Sequence, residues 1–362
     1  MLKVNDAVPI GGARSRRGGM RRRLWIILLA VPLGLLLVDT LYWQVMVRRL
    51  ADGFTAWETE QRAAGWSITH EPLKHGGWPL AARVIVPAIS VTGGSQQIPG
   101  GVSWSAERLV LGIGLLRPDL LELAGEGNER LRLARSAELP FTADELHVVL
   151  PLGTGRLPES ADISAVNLRT TSAAGADFSV GSLVSHMTFH PAARSGERAL
   201  GFALGADAID LPPNVVRLFG PRIAKLQVDG ALNGPPLTGR TPTEYATGWR
   251  DGGGSLEVHH LAVLWGPLDL SASATIALDE QLQPMGAGSA RLVGYAEALD
   301  ALAAHAAISR SAATAAKAVL SLMANNPDDG RPPDVDVPLT LQYRTLSMRQ
   351  VPLARLPEID WP

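Results

Sequence analysis

The chain has 362 residues, of which 46% are apolar and 19% are charged, with 37 glycines, 26 prolines and no cysteine. This composition argues against extensive disorder, and the lack of cysteine excludes disulfides, thiol nucleophiles and thiolate metal ligands. The 33 basic and 35 acidic residues give a formal charge of −2, which argues against nucleic acid as a partner.

The N-terminus has the pattern of a membrane anchor. A basic tail, residues 1–23, precedes an apolar segment, residues 24–47. At about 1.5 Å per residue this segment spans roughly 36 Å, which exceeds the roughly 30 Å hydrocarbon core of a bilayer. Trp25 lies near one end of the segment and Tyr42 and Trp43 lie near the other, where aromatic side chains favour the headgroup region. We therefore predict one transmembrane helix, with these three residues at the membrane interfaces.

The charge bias predicts the orientation of this anchor. Seven basic residues precede the segment, whereas Arg48 and Arg49 follow it, so the N-terminus is expected to be cytoplasmic and the bulk of the chain exported. A cleaved signal peptide is an alternative, but no small-x-small cleavage site follows Val38. A buried helix of a soluble protein and a nucleic-acid-binding arm explain the arginine cluster less simply.

Beyond the anchor the hydrophobic period changes twice. Apolar residues recur at intervals of three and four from Val47 to Trp57, which predicts that the helix continues as a stalk over residues 48–65. From Trp66 onward, alternation by two predicts antiparallel strands throughout a body of residues 66–362. The predicted fold class is mostly β with α, in which the transmembrane and stalk helices precede an extended antiparallel β-rich body with one long Ala-rich helix near the C-terminus.

The clearest alternation lies in residues 268–279. Its apolar positions include Leu268, Leu270, Ile276 and Leu278, and the intervening positions are mostly polar. We expect these four residues to form the candidate face of an apolar groove. A similar alternation occurs over residues 335–343, and it is weaker over residues 130–135, 201–211 and 257–264.

Two segments interrupt the strand pattern. Residues 295–324 are alanine-rich and lack Gly and Pro, which predicts one long helix or a helical pair. Residues 212–254 are rich in loop-forming residues and are the best candidate for a boundary within the body.

No catalytic, cofactor-binding or metal-binding signature is present. Dinucleotide-binding, Walker A and nucleophile-elbow motifs are missing, and no enzymatic activity is expected. His186 and His190 would lie about 13 Å apart on a strand, too far to bind one metal. Asp334 and Asp336 are interpreted as the solvent face of a strand. Core packing is favoured over sugar stacking or a lipid groove for the tryptophans at positions 66, 78, 104, 249 and 265.

Several motifs together resemble a known bacterial family. They are the Tyr42–Trp43 end of the anchor, the Gly77–Leu80 sequence before a strand, and the Gly254–Val258 strand that leads to Leu264–Leu268. In these features the chain resembles the envelope family catalogued as domain of unknown function 2125. The resemblance implies a β-rich protein tethered to the inner membrane of a Gram-negative cell, with its bulk in the periplasm, and it carries no catalytic residues. The body is more loosely similar to AsmA-type envelope proteins, whose β-grooves are associated with lipid traffic.

Two functions from different classes follow. The sheet could offer its apolar face to a lipid or another amphiphile, as an open hydrophobic cleft does. Alternatively, the sheet could close on itself and on the Ala-rich helix, as a structural or partner-recruiting scaffold without a ligand. The expected partners are the membrane and a lipid-like ligand, with no nucleic acid and no cofactor.

Overall fold

The computed structural model describes residues 17–94, 101–134, 136–153, 158–171, 177–212, 217–235, 241–326, 332–348 and 351–361. Within the first helix the side chains are described from Leu28 onward. Most of the predicted basic tail and the side chain of Trp25 therefore lie outside the described residues.

Helix α1, Arg17–Ala63, contains the predicted anchor and, without interruption, all but the last two residues of the predicted stalk. Its part from Leu28 to Ala63 is long and apolar enough to cross a membrane, and it is the one such helix in the part of the chain that the structure describes. Burial begins at Val47, whereas the apolar side chains between Leu28 and Val38 are exposed. The side chains of residues 28–38 therefore have no protein packed around them, unlike those of the core helix of a soluble domain.

In the described residues, the body forms one antiparallel sheet of 17 strands. The strands of the first half are β1 (Ser67–Thr69), β2 (Lys74–Gly76), β3 (Ala81–Gly93), β4 (Val102–Gly114), β5 (Arg117–Leu133), β6 (Leu139–Thr142), β7 (Glu145–Pro151), β8 (Ser160–Thr171) and β9 (Asp177–Phe189). Those of the second half are β10 (Arg198–Asp210), β11 (Arg222–Asn233), β12 (Ser255–Trp265), β13 (Leu268–Leu278), β14 (Pro284–Val293), β15 (Asp334–Gln342), β16 (Thr345–Met348) and β17 (Val351–Arg355).

The strands pair in chain order, with two exceptions. Both β1 and β2 pair with β3, and β6 and β7 share the space between β5 and β8. From β8 to β17 each strand pairs with the next along the chain. This confirms the predicted antiparallel β-rich body.

Left-handed residues interrupt the alternation of faces inside several long strands. Ala88 in β3 and Ala208 in β10 have φ values of 49° and 53°. On either side of Ala208, Ala206 and Ile209 are both buried in one cluster although they are three residues apart. Such irregularities reverse the side on which the following residues lie.

Helices α2 (Pro242–Asp251), α3 (Tyr295–Ala304) and α4 (Arg310–Met323) lie between strands. The segment 295–324 is thus a helical pair, and the prediction of one long helix is wrong. Ala306, which has a φ of 55°, follows the end of α3, and Ser309 caps α4 by accepting a 3.1 Å hydrogen bond from the Ala312 amide. Because its side chain bonds to the backbone of the first turn, Ser309 starts a new helix. This start divides the alanine-rich segment into two helices.

The segment 212–254 contains β11 and α2. Strand β11 pairs with β10 on one side and with β12 on the other, so the sheet continues through this segment. Thr241 caps α2, and Pro242 occupies its first turn. The boundary suggested here stays a prediction.

Candidate apolar binding face

One face of the sheet carries an unbroken row of paired residues from β3 to β15. Residues directly opposite each other in an antiparallel pair have their side chains on the same face. Following these pairs across the sheet gives one row of Val84, Leu111, Leu123, Val148, Ile163, Ser185, Leu204, Val228, Leu261, Ala272, Ala290 and Val337. Every member except Ser185 is apolar. We call the side of the sheet that carries this row the apolar face.

Parallel rows widen the apolar face on both sides. One of them contains Leu146, Ala165, Leu183, Ala206, Leu226, Val263, Leu270, Leu292 and Val335. Another contains Phe189, Leu200, Leu232, Leu256, Ile276, Gly286, Leu341, Leu346 and Ala354. The face is therefore several residues wide and continuous across most of the strands.

The four residues predicted for the groove belong to this face. Leu270 and Ile276 lie in the two rows above, Leu268 is opposite Trp265, and Leu278 is opposite Pro284. All four are half-buried. Their role in binding a ligand stays a prediction.

The other face is polar where the same strands cross. On β8 to β12, the row formed by Asp162, His186, Ala203, Asp229 and His260 lies one residue away from the long apolar row. Asp162 and Asp229 are exposed. The two faces of the sheet thus differ sharply in polarity.

Helices cover the apolar face at both ends of the sheet. At the N-terminal end, Val47, Leu50 and Phe54 of α1 form one buried cluster with residues of β3 and β4, including Val84. At the C-terminal end, Tyr295 of α3 forms a buried cluster with Val335 and Val337, and Leu320 and Met323 of α4 pack against it. Between these ends, the row residues of β10 to β12 at Leu204, Val228 and Leu261 are only half-buried.

A large apolar chamber lies between α1 and the sheet. Its volume is about 840 Å³, within the range of about 300–1,000 Å³ that is typical of small-molecule sites. The helix contributes residues between Met46 and Trp57, and β3, β4, β5 and β7 contribute leucines, isoleucine and valines of the apolar face. Gly53 also lines the chamber, and no atom lies within 4 Å of the position that a Cβ would take there.

One buried carboxyl group interrupts the apolar wall of the chamber. Glu129 is 3% exposed, and its Oε2 accepts a 2.9 Å hydrogen bond from Trp104 Nε1. Its Oε1 occupies the place that a side chain at Gly125 would need. Burial raises the pKa of Glu129, and the hydrogen bond from Trp104 offsets part of that rise. The sequence analysis missed this group, although its spacing from Leu121 and Leu123 places it on their face.

Of the predicted interface aromatics with described side chains, Trp43 lies where α1 meets the body and Tyr42 is exposed. Tyr42 is 37% exposed. Trp43 is half-buried, and its Nε1 lies within hydrogen-bonding distance of the carbonyl oxygens of Gly76 at 3.2 Å and Ala81 at 3.0 Å. Trp43 therefore ties the helix to the sheet, and its contact with a membrane stays a prediction.

The remaining tryptophans and polar candidates have separate environments. Trp249 and Trp265 donate hydrogen bonds to backbone carbonyls and are half-buried, whereas Trp78 is 49% exposed, so the core role expected for Trp78 is wrong. Asp334 is buried and pairs with Arg291 at 2.8 Å, which corrects its predicted place on the solvent face. The backbones of Asn325 and Asp334 also form an isolated β-bridge.

None of the four histidines at positions 186, 190, 259 and 260 lines the chamber. His186 contacts Asp162 at 2.6 Å, and His259 contacts Asp229 and Glu257 at 3.2 and 3.3 Å, all on exposed side chains. Over the described ranges, no group of three or more His, Cys, Asp or Glu side chains could hold a metal ion.

Comparison with known proteins identifies the family of the chain. No curated protein and no solved structure matches the chain. The looser similarity to AsmA-type envelope proteins stays a prediction. The sequence matches the family described as "Uncharacterized protein conserved in bacteria (DUF2125)" over residues 43–357, and the chain therefore belongs to this family.

Proposed function

We propose that this protein is a membrane-anchored binding protein that holds the acyl part of a lipid or another amphiphile on its apolar face. The observation that carries the proposal is the row of paired apolar residues that runs from Val84 to Val337. An extended apolar surface between polar edges is typical of a binding site, because a soluble body otherwise buries such a surface. A long acyl chain would bury the most apolar surface on the half-buried middle of this face.

The chamber under α1 supports the same proposal. It combines a volume suited to a ligand with walls that are almost entirely apolar. The buried carboxyl of Glu129 offers one hydrogen-bonding group in the wall of the chamber. This arrangement suits a ligand with a long apolar part.

The basic residues before the anchor support an inner-membrane location with a cytoplasmic N-terminus and a periplasmic sheet. In this orientation the chamber lies just outside the membrane. A ligand that leaves the outer surface of that bilayer would meet the chamber first and the open middle of the apolar face next.

A ligand-free scaffold is the second candidate. The packing of α3 and α4 on β13 and β15 favours it, because these helices cover the C-terminal end of the apolar face with protein. The two candidates make different predictions for the middle strands and the chamber. The scaffold requires that a partner protein covers them, whereas the binding protein requires that a lipid does.

Native mass spectrometry of the full chain, after detergent has stripped loosely bound lipid, distinguishes them. We expect wild type to retain acyl species, and the Gly53→Trp variant to retain much less because its side chain fills the chamber. Thr55→Trp is the matched control, since Thr55 is exposed on the same helix and does not line the chamber. Wild type without bound lipid, or equal retention in both variants, would contradict the proposal and favour the scaffold.

A further inference from the structure

The end of the body that faces the membrane follows from the contacts of α1. Trp43 contacts the carbonyl of Ala81, at the start of β3, while Arg62 donates a 2.6 Å hydrogen bond to the carbonyl of Ile68. Ile68 is in turn paired with Val91 near the end of β3. The helix and β3 therefore run side by side in the same direction. The start of β3 is the end nearest the predicted transmembrane segment.

Two turns at this end expose large apolar side chains. The turn between β2 and β3 carries Trp78 and Leu80, which are 49% and 82% exposed, and the turn between β4 and β5 carries Leu116, which is 95% exposed. The turns are neighbours, because the Leu115 amide donates a 3.4 Å hydrogen bond to the Leu80 carbonyl. Single exposed leucines are ordinary on protein surfaces, but these residues form one patch at one end of the molecule.

This patch is continuous with the anchor itself. Trp78 Nε1 donates a 3.2 Å hydrogen bond to the hydroxyl of Thr40, which lies inside the predicted transmembrane segment. The Trp78 side chain therefore lies beside α1 at the level of Thr40, two residues before Tyr42. Tryptophan side chains favour the headgroup region of a bilayer, where the ring is partly in hydrocarbon and the N–H is solvated.

We propose that the turns carrying Trp78, Leu80 and Leu116 insert into the surface of the bilayer that holds α1, as a second membrane contact of the protein. The chamber ends at the same side of the body, where Met46, Pro118 and Leu152 line it and Leu152 is 47% exposed. The contact would hold this end of the chamber against the lipid. The inference rests on the membrane anchor of the proposed function and does not require a lipid inside the chamber.

Depth-dependent fluorescence quenching tests the contact, and the lack of cysteine in the chain makes single-site labelling direct. The full-length variants Leu80→Cys and Leu116→Cys would be labelled with the environment-sensitive dye NBD and reconstituted into vesicles of phosphatidylethanolamine and phosphatidylglycerol. A fraction of the lipid would carry a nitroxide on the acyl chain close to the headgroup. Leu35→Cys, within the anchor, is the positive control. Leu133→Cys is the negative control, because Leu133 is 50% exposed at the opposite end of β5.

We expect the dye to lose fluorescence at positions 35, 80 and 116 and to keep it at position 133. Quenching at position 35 alone would overturn the second contact and leave the anchor and the ligand-binding proposal standing. No quenching at position 35 would overturn the anchor and, with it, this inference. The mass-spectrometric test of the chamber reports independently on ligand binding, so the two failures are distinguishable.

Discussion

Trp104 donates a 2.9 Å hydrogen bond from its indole Nε1 to Oε2 of Glu129, and this contact holds a carboxyl group within an otherwise apolar chamber. The pair joins β4 to β5 on the apolar face. Arg49 is the other charged residue that lines the chamber, and it is exposed on α1. The chamber therefore combines a buried carboxyl group on the sheet with a solvated cation on the helix.

The pH dependence of stability follows from this burial. Because burial raises the pKa of Glu129 above its usual value of about 4.5, the folded protein binds more protons than the unfolded chain between pH 4.5 and the raised pKa. The contribution of Glu129 to the free energy of unfolding therefore falls as the pH rises through that window. We expect Glu129→Gln to remove this fall and to raise the melting temperature at neutral pH.

Thermal unfolding of the full chain in mild detergent over a pH series measures this effect. Glu126→Gln is the control, because Glu126 lies on the same strand with an exposed side chain that pairs with Arg108 at 2.7 Å. Identical pH profiles for the two variants would show that Glu129 is not the group responsible.

The packing of α1 on the sheet should depend on Phe54. This residue is 5% exposed and contacts the His70 ring edge-on at 5.4 Å, whereas Trp57, one turn later, is 41% exposed. We expect Phe54→Ala to lower the free energy of unfolding by about 3–5 kcal/mol, as buried aromatic truncations do. Trp57→Ala should cost clearly less. Denaturant unfolding compares the two, and an equal loss would contradict the assigned burial.

The register of β10 and β11 can be tested at two glycines. A Cβ at Gly230 would lie 2.8 Å from Phe202 Cζ and would also meet the carbonyl oxygen of Glu257, whereas a Cβ at Gly205 would have no atom within 4 Å. We expect Gly230→Ala to destabilise the protein by about 1–3 kcal/mol through overpacking. Gly205→Ala should be neutral or slightly stabilising. Equal melting temperatures for the two variants would count against the paired row of Phe202 and Gly230.

The two aspartates of β15 should behave differently on truncation. Asp334 is buried and pairs with Arg291, while Asp336 is exposed two residues later. We expect Asp334→Ala to lower the free energy of unfolding by about 1–3 kcal/mol, because a buried charge-assisted hydrogen bond is lost. Asp336→Ala should change it by less than about 0.5 kcal/mol. A larger effect at Asp336 than at Asp334 would contradict the burial assigned to the two aspartates.

The sequence predicts the strands best where the alternation of faces is regular. Strands β13 and β15 pair with β14 without a shift of register, and their alternation is plain in the sequence. In β10 the left-handed Ala208 reverses the faces, and β12 shifts its register after Val258, so their patterns look weak. An L-residue with positive φ has no strong sequence signal, which explains why these strands were harder to recognise.

The chamber could not be predicted from the sequence in the same way. It forms where residues 46–57 of α1 meet strands that end about a hundred positions later in the chain. Local periodicity places Leu123 and Glu129 on a face, but it does not say which helix covers that face. The core role predicted for Trp78 is wrong for a similar reason. A large aromatic ring favours burial, and only the contact of Trp78 with Thr40 reveals its position at an exposed turn.

Site-specific photo-crosslinking along β10 tests the central claim most directly. A photoreactive amino acid would replace Phe202, Ala203, Leu204 and Gly205 one at a time in the full chain, in living bacterial cells with radiolabelled phospholipid. Phe202 and Leu204 lie on the apolar face, whereas Ala203 pairs with His186 and Asp229 on the polar face. The account predicts labelled lipid on the protein at positions 202 and 204 and none at 203 and 205. Equal labelling at all four positions, or no labelling at any, would contradict it.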